Sequence, residues 1–290
     1  MDVLLIAAII LLYSFQTLFC TMYTERYPGR KELASPVFCI LESVCIAVFT
    51  LCWIGFDFQA APLTLLFGVL NAAVLFGYNT SLIKAGATGS YAFMNVMMLF
   101  GGILVPLVYS VAFLGNAMTV YQWVAIPLML VSFVLMNLKE MRLKGSKPVF
   151  YLYCAVLFLT NGLYGTLLKM QSIYHDEQKN SMVILTFALM GVIAFVQLAM
   201  REKKHTFAAF RMNKKALWPL ILCLASAALA INMLVLVIPM IDEKTLYTVE
   251  NGGVLVVSAL YSFFIFKEKP NLPKVLGIIL ATVSITILSK

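Results

Sequence analysis

Charged residues are scarce in this chain: aspartate, glutamate, lysine and arginine together make up 12% of its 290 residues. Soluble domains carry about a quarter of such residues, because a surface in contact with water requires them. Hydrophobic residues reach 62% of the sequence. A chain of this composition cannot cover a water-facing surface, whereas it can cover one that faces lipid. The composition therefore excludes a soluble globular protein and predicts a membrane protein.

Histidine and paired cysteine are also nearly absent. The two histidines, His175 and His205, lie far apart in polar segments, and the six cysteines lie in apolar runs without a CxxC pair. The sequence has no HExxH or GxSxG motif. We therefore expect no metal site, no disulfide, no cofactor and no enzymatic activity. The alternative of a membrane-embedded enzyme would need a nucleophile with its base, or a metal cluster, at membrane depth.

Alternating polar and apolar residues, which a β-barrel strand requires, are missing as well. The apolar residues form ten continuous runs instead, close to the roughly 20 residues that a helix needs to cross the hydrocarbon core. In lipid every backbone polar group must be paired within the span, so we predict an all-α integral membrane fold of ten transmembrane helices. The predicted spans are 3–20, 36–55, 62–84, 90–113, 119–138, 149–170, 181–200, 216–238, 245–266 and 274–288.

Positive charge is unevenly distributed between the connections. Most of the 21 lysine and arginine residues lie in connections that follow odd-numbered predicted helices. Such connections stay on the cytoplasmic side, so we predict a multi-pass protein of the cell membrane with both termini outside. The net charge of +8 is explained by the anionic inner leaflet and needs no nucleic-acid partner. The basic segment 201–215 either lies on the membrane surface or forms a solvated loop.

The two halves of the chain contain a similar pattern of tyrosine, asparagine and glycine. In each half a tyrosine is followed four positions later by an asparagine, and a pair of glycines follows in the same predicted helix. These residues are Tyr91, Asn95, Gly101 and Gly102 in the fourth helix, and Tyr247, Asn251, Gly252 and Gly253 in the ninth. We therefore predict two repeats, residues 1–145 and 146–290.

Each predicted repeat contains five helices, and an odd number of helices reverses the orientation of the second repeat in the membrane. Inverted repeats are the architecture of many secondary transporters. Because one chain holds two complete repeats, a dimer is not required, and both a monomer and a homodimer stay open.

A further pattern lies at the end of the chain. An apolar run leads into the polar connection 266–269 (FKEK), and the final apolar helix within 274–288 contains Gly277 near its start. In this layout the chain resembles the drug/metabolite transporter superfamily, and within it the ten-helix EamA-type branch. The first half departs from the family pattern, with Asn116 where the family usually has glutamate. The resemblance implies a ten-helix basket with a central cavity that moves small organic metabolites.

Two carboxylates lie within predicted spans, Glu42 in the second and Glu250 in the ninth. A charge there costs about 3 kcal/mol on insertion scales, so such a residue marks a functional site by default. A carboxyl group in a dehydrated site can exchange a proton near neutral pH, or it can serve as the counter-charge of an ammonium substrate. The structural alternative is a carboxylate that is paired with a neighbour or reaches the membrane interface.

The residues around Glu250 favour a binding site. Tyr247, Glu250 and Asn251 are three and four positions apart, so they share one helix face, and Tyr91 and Asn95 do the same in the fourth helix. The nearby glycine pairs weaken both helices and allow a ligand or another backbone to approach. Matched interruptions in two repeats point to the binding site of a transporter. The alternative is that the glycines only allow close helix packing.

Helices one and six contribute Gln16, Asn161 and Tyr164 at similar depth. In the family that the chain resembles, the first four helices of each half line the cavity, which implies contact with the substrate; interhelical hydrogen bonds are the alternative. We therefore predict a secondary active transporter of a small organic metabolite, either a cationic or zwitterionic amine, an amino acid or a drug-like solute. Alternating access is expected, driven either by coupling to protons or by the gradient of the substrate itself. A non-transporting receptor or lipid-handling protein on the same scaffold is the alternative.

Overall fold

The chain folds into α-helices connected by short polar segments. The computed structural model describes residues 2–139, 148–264 and 271–288, and these residues form ten α-helices and no strand. The helices are α1 (Asp2–Arg26), α2 (Lys31–Trp53), α3 (Pro62–Thr88), α4 (Tyr91–Ala112), α5 (Val120–Asn137), α6 (Pro148–Tyr174), α7 (Lys179–Glu202), α8 (Lys214–Val237), α9 (Glu243–Phe264) and α10 (Leu272–Leu288). The all-helical fold and the ten predicted helices are therefore confirmed. Two 3₁₀ helices, Asp176–Gln178 and Lys203–Phe210, were not predicted.

Eight of the described helices, α1 to α8, are long and apolar enough to cross a membrane. The chain is therefore an integral membrane protein with several spans. The helix α10 is apolar but shorter, at 17 residues, and α9 carries Glu243, Lys244 and Glu250. Crossing of the membrane by α9 and α10 stays a prediction.

Polar and proline residues determine where many of the helices begin. In five cases a side chain accepts a hydrogen bond from the backbone N–H three residues later, which satisfies a donor that the helix itself leaves unpaired. The capping residues are Ser90, Thr119, Asn213, Asp242 and Asn271. Pro62 and Pro148 occupy the first position of α3 and α6, where the missing N–H leaves no bond unmade.

The chain groups into two compact units, and each takes helices from both halves of the sequence. The first unit comprises Met1–Phe76 and Met170–Val237, and the second comprises Gly77–Lys169 and Ile238–Lys290. The predicted repeats, 1–145 and 146–290, concern the order of helices along the chain and do not coincide with these units. Their boundary falls outside the described residues, and the repeat stays a prediction.

In the first unit α1 packs against α8, and α2 packs against α7 and α8. The side-chain amide of Asn232 in α8 donates a hydrogen bond to the Thr50 hydroxyl of α2 at 2.9 Å. Just after α1, the Tyr27 hydroxyl donates to the carbonyl oxygen of Ala209 at 2.6 Å. This bond holds the 3₁₀ helix Lys203–Phe210 against the α1–α2 connection. The segment 201–215 is therefore mostly helical and not a loop. Its position on the membrane surface stays a prediction.

In the second unit α5 packs against α10, and α9 packs against α4, α5 and α10. The Ser284 hydroxyl of α10 donates to the carbonyl oxygen of Ala125 at 2.7 Å. A Cβ at Gly277 would lie 2.9 Å from the carbonyl oxygen of Ser132, so glycine permits the close approach of α10 to α5. Gly277, which belongs to the family resemblance, thus has a packing role. The 266–269 connection lies outside the described residues.

Three helix pairs, α2–α7, α4–α9 and α5–α10, join helices at equivalent positions in the two predicted repeats. Each pair lies within one compact unit.

Candidate functional site

The Tyr247 side chain fixes the position of the polar face of α9. Tyr247 is 5% exposed, and its hydroxyl donates to the carbonyl oxygen of Gly165 in α6 at 2.9 Å. A Cβ at Gly165 would lie 2.7 Å from the Tyr247 ring, so glycine makes room for it. One turn further along α9, the Asn251 side-chain amide donates to the carbonyl oxygen of Tyr247 at 2.7 Å. The predicted shared face of Tyr247 and Asn251 is therefore built into the helix by hydrogen bonds.

The Asn161 and Asn251 amides lie beside the same glycine of α4. A Cβ at Gly102 would lie 2.6 Å from Nδ2 of Asn161 and 3.2 Å from Nδ2 of Asn251. The Asn161 amide also donates to the carbonyl oxygen of Met98 at 2.9 Å, which joins α6 to α4. Gly101 lies directly against the α6 backbone. Gly101 thus allows close helix packing, as the structural alternative expects, and Gly102 leaves room for two polar side chains. The approach of a ligand at this pair stays a prediction.

Glu250 lies on the same helix, within one turn of Tyr247 and Asn251. Its side chain lies deep among protein atoms, yet the residue keeps intermediate exposure. Within the described ranges, no hydrogen-bond donor and no cation is paired with its carboxylate. The side chains of Tyr247, Glu250 and Tyr164 lie near one another, while the Tyr247 hydroxyl donates its hydrogen bond to Gly165. A deep carboxylate that is partly accessible and lacks a protein partner is available to a proton or a cationic ligand.

The predicted residues of α4 are less closely tied to this group. Asn95 has intermediate exposure and lies seven positions before Gly102, hence about two turns away on the same face. The structure records no hydrogen bond between Asn95 and the other candidate residues that it describes. Tyr91 is the first residue of α4, and its side chain lies outside the described part of the chain.

Glu42 and Gln16 form a pair within the first compact unit. The side-chain amide of Gln16 in α1 donates to Oε1 of Glu42 in α2 at 2.9 Å. The Cys223 thiol of α8 donates to the carbonyl oxygen of Gln16 at 3.2 Å, so three helices meet at this pair. Both residues have intermediate exposure. Glu42 therefore has the neighbouring partner that the structural alternative requires, and Glu250 does not.

Sequence reasoning missed a set of charged residues near the start of α9. Lys169, late in α6, donates through Nζ to the carbonyl oxygen of Ile238 at 2.9 Å, and Glu243 and Lys244 are almost fully buried. All three were assigned to helix ends and connections, where charge is expected. The available signal was the spacing of Glu243, Tyr247 and Glu250, which at i, i+4 and i+7 places them on one face of α9.

Metal-binding residues do not cluster in the described residues: no group of three histidine, cysteine, aspartate or glutamate side chains is placed to hold a metal ion. The six cysteines are free thiols.

The sequence matches one family model over part of its length. A model described as Small Multidrug Resistance protein matches residues 202–281, a range that contains α8, α9 and the candidate residues Tyr247, Glu250 and Asn251. The match covers less than half of the chain. It supports a membrane transporter of small compounds, without assigning the drug/metabolite superfamily or its EamA branch. A comparison with curated proteins found no similar sequence.

The fold is shared with solved structures. One chain, described only as a crystal structure of a protein, superposes with a TM-score of 0.75 at 15% sequence identity, over 99% of this chain and 95% of that chain. At this identity the similarity concerns the fold alone.

Proposed function

We propose that the protein is a secondary active transporter of a small organic solute that carries an amine, and that Glu250 is its coupling carboxylate. The solute is a cationic or zwitterionic amine. Glu250 releases its proton when the ammonium group of the solute binds, so the same carboxylate binds the proton and the solute alternately. Tyr247, Asn251, Asn161 and Tyr164 surround the solute on α9 and α6.

The observation that carries this proposal is the Glu250 carboxylate itself. A buried charge without a partner costs several kcal/mol, so a protein retains one where its binding of a ligand or proton compensates. Desolvation strengthens the interaction of such a carboxylate with an incoming cation. The match to the Small Multidrug Resistance model supports this proposal, because the matched residues include α9, the helix that contains Glu250.

The proposed transport cycle is alternating access by two inverted repeats. The packing of α2 on α7, α4 on α9 and α5 on α10 supports the repeat, because each pair joins helices at equivalent positions of the two repeats. The proposal includes that the protein is a member of the EamA-type branch. It also includes that the protein lies in the cell membrane with both termini outside. The absence of enzymatic activity is likewise part of this proposal.

Solute flux into liposomes tests the proposal. The purified protein is reconstituted, and uptake of amines, amino acids and sugars is measured with and without a proton gradient for wild type and Glu250→Gln. The matched control is Glu177→Gln, which makes the same chemical change at a side chain that is 65% exposed and lies in the 3₁₀ helix before α7. We expect amine flux that depends on the gradient in wild type and in Glu177→Gln, and no flux in Glu250→Gln.

A second comparison separates the two carboxylates. Glu42→Gln is expected to retain gradient-dependent flux at a reduced rate, because Glu42 is hydrogen-bonded to Gln16. Flux that survives in Glu250→Gln but is lost in Glu42→Gln would move the coupling role to Glu42. Thermal stabilisation by an amine without any flux would instead favour a receptor.

A further inference from the structure

A cavity of about 480 Å³ lies at the end of the second compact unit where α9 begins. Its walls are the α4–α5 connection with Gln122, the side chain of Lys169, and residues 239–244 between α8 and α9. All of these residues belong to the second unit. The volume is within the range of about 300–1,000 Å³ in which proteins hold small organic ligands.

The Glu243 side chain lines this cavity and lacks a hydrogen-bond partner. It is 2% exposed, and its nearest cation, Nζ of Lys169, is 4.0 Å from Oε2. Within the described residues neither of its carboxylate oxygens accepts a hydrogen bond. The Ser110 hydroxyl lies near the carboxylate without meeting hydrogen-bond geometry. A buried carboxylate normally accepts several hydrogen bonds, so its acceptor capacity is unused.

The ammonium groups of the two lysines in the cavity already donate hydrogen bonds to backbone carbonyl oxygens. Lys169 donates to the carbonyl oxygens of Ile238 and Ile241 at 2.9 and 3.3 Å. Lys244 donates to those of Asn116 and Ala117 at 3.3 and 3.1 Å. Lys169 also remains 4.0 Å from Oε2 of Glu243, and Nζ of Lys244 lies 3.6 Å from Oδ1 of Asp242. Neither ammonium group donates a hydrogen bond to Glu243 within the described residues.

The second carboxylate of the cavity is also satisfied. Asp242 accepts from the side-chain amide of Gln122 at 2.9 Å and from the backbone N–H of Thr245 at 3.3 Å. Gln122 and Thr245 thereby anchor Asp242 as the cap of α9. Among the described groups that line the cavity, Glu243 is thus the acidic side chain that still requires a hydrogen-bond donor.

We propose that this cavity is a second binding site, in which Glu243 accepts hydrogen bonds from the ammonium group of an amine. An ammonium group brings three donors and one positive charge, which matches a carboxylate with free acceptor positions. Glu243 and Glu250 are seven residues apart on α9, hence about 10 Å along the helix axis. The site is therefore separate from the one at Glu250. The amine binds at Glu243 either before it reaches Glu250 or after it leaves Glu250.

Protection of a thiol inside the cavity measures binding directly, without any gradient. Met240 lines the cavity and is 57% exposed, so the thiol introduced by Met240→Cys is open to N-ethylmaleimide. The rate of its modification is followed by peptide mass spectrometry, which separates it from the native cysteines. The probes are methylamine, butylamine and phenethylamine, each compared with the alcohol of the same carbon skeleton.

We expect the amines to slow the modification and the alcohols to leave it unchanged. In the same background Glu243→Gln should raise the half-protecting amine concentration by about 10-fold to 100-fold, the usual effect of losing a charged hydrogen bond. Glu177→Gln, an exposed control, should not change it. Thermal unfolding identical to that of the parent verifies that Glu243→Gln is folded. The comparison of amines with alcohols tests the site in the parent protein and does not depend on this variant.

Three results would overturn this site: no protection by any amine, equal protection by the alcohols, or protection that Glu243→Gln leaves intact. If Glu250→Gln alone removes the protection, the amine binds only at Glu250, and the proposed transport function survives without the second site. Conversely, protection that depends on Glu243 in a protein without flux would support this site and reject transport.

Discussion

Replacing Gly102 by alanine is expected to disturb the candidate site without removing any of its polar side chains. The added Cβ would lie 2.6 Å from Nδ2 of Asn161 and 3.2 Å from Nδ2 of Asn251, both too close for an ordinary contact. Asn161 must therefore shift, and its hydrogen bond to the Met98 carbonyl oxygen lengthens or breaks. Overpacking of this kind costs about 1–3 kcal/mol.

Gly77→Ala provides the matched control for Gly102→Ala. A Cβ at Gly77 would meet its nearest neighbour, Cγ2 of Thr160, at 3.5 Å, which is an ordinary van der Waals distance. Both glycines lie inside helices, so both alanines gain the same helix propensity of about 0.5–1 kcal/mol. The difference between the two variants therefore isolates the collision at Gly102.

Unfolding in mixed micelles with increasing SDS measures this difference. We expect the free energy of unfolding of Gly102→Ala to be about 1–3 kcal/mol below that of Gly77→Ala. In the liposome assay Gly102→Ala should show a higher half-saturating solute concentration, because two amides near Glu250 have moved. Equal stability and equal flux for both alanine variants would refute the placement of the two amides against Gly102.

Two further predictions concern single hydrogen bonds. Burial, together with the Glu202 carboxylate, raises the pKa of Tyr27 above its usual value of 10.0. The phenol therefore stabilises the fold fully below pH 10 and less as the pH rises through the raised pKa. The unfolding free energy of wild type should fall more steeply above pH 10 than that of Tyr27→Phe, and parallel profiles would contradict this. Ser284→Ala removes the hydrogen bond to the Ala125 carbonyl oxygen. It should lower the unfolding free energy in mixed micelles by about 0.5–1.5 kcal/mol. An unchanged unfolding free energy would show that this hydrogen bond has no net effect.

The helices were predictable because their signal is local. A run of apolar residues of span length identifies a membrane helix without knowledge of its neighbours. The largest error was at the end of α1, which was expected to stop near residue 20 and continues to Arg26. Polar residues begin there, but Tyr23 is fully buried, and its hydroxyl donates to the Ala34 carbonyl oxygen. Tertiary contacts thus extend the helix beyond its apolar run.

The 3₁₀ helix Lys203–Phe210 was missed for a related reason. It is held by the Tyr27 hydroxyl through the Ala209 carbonyl oxygen, across more than half of the chain. Its sequence alone reads as a basic segment with two aromatic residues. Local composition therefore could not distinguish a loop from a short helix.

The candidate site was predictable in part. The common face of Tyr247, Glu250 and Asn251 follows from helical spacing alone. That Asn161 lies beside Asn251 depends on the packing of α6 and α9 around Gly102, which no spacing along the chain reveals. The role of Gln16 as hydrogen-bond donor to Glu42 is a tertiary contact of the same kind.

The pairing of α2 with α7, α4 with α9 and α5 with α10 has a consequence for biosynthesis. Each pair joins helices made about 150 residues apart, and ribosomes add about 5–20 residues per second. The earlier helix of each pair is therefore in the bilayer for about 8–30 s before its partner helix is inserted. During that interval Glu42 already has Gln16 available from the preceding helix, whereas Glu250 enters when nearly every other helix is present. The carboxylate of Glu250 is thus inserted late, when most of the helices that surround it are already present.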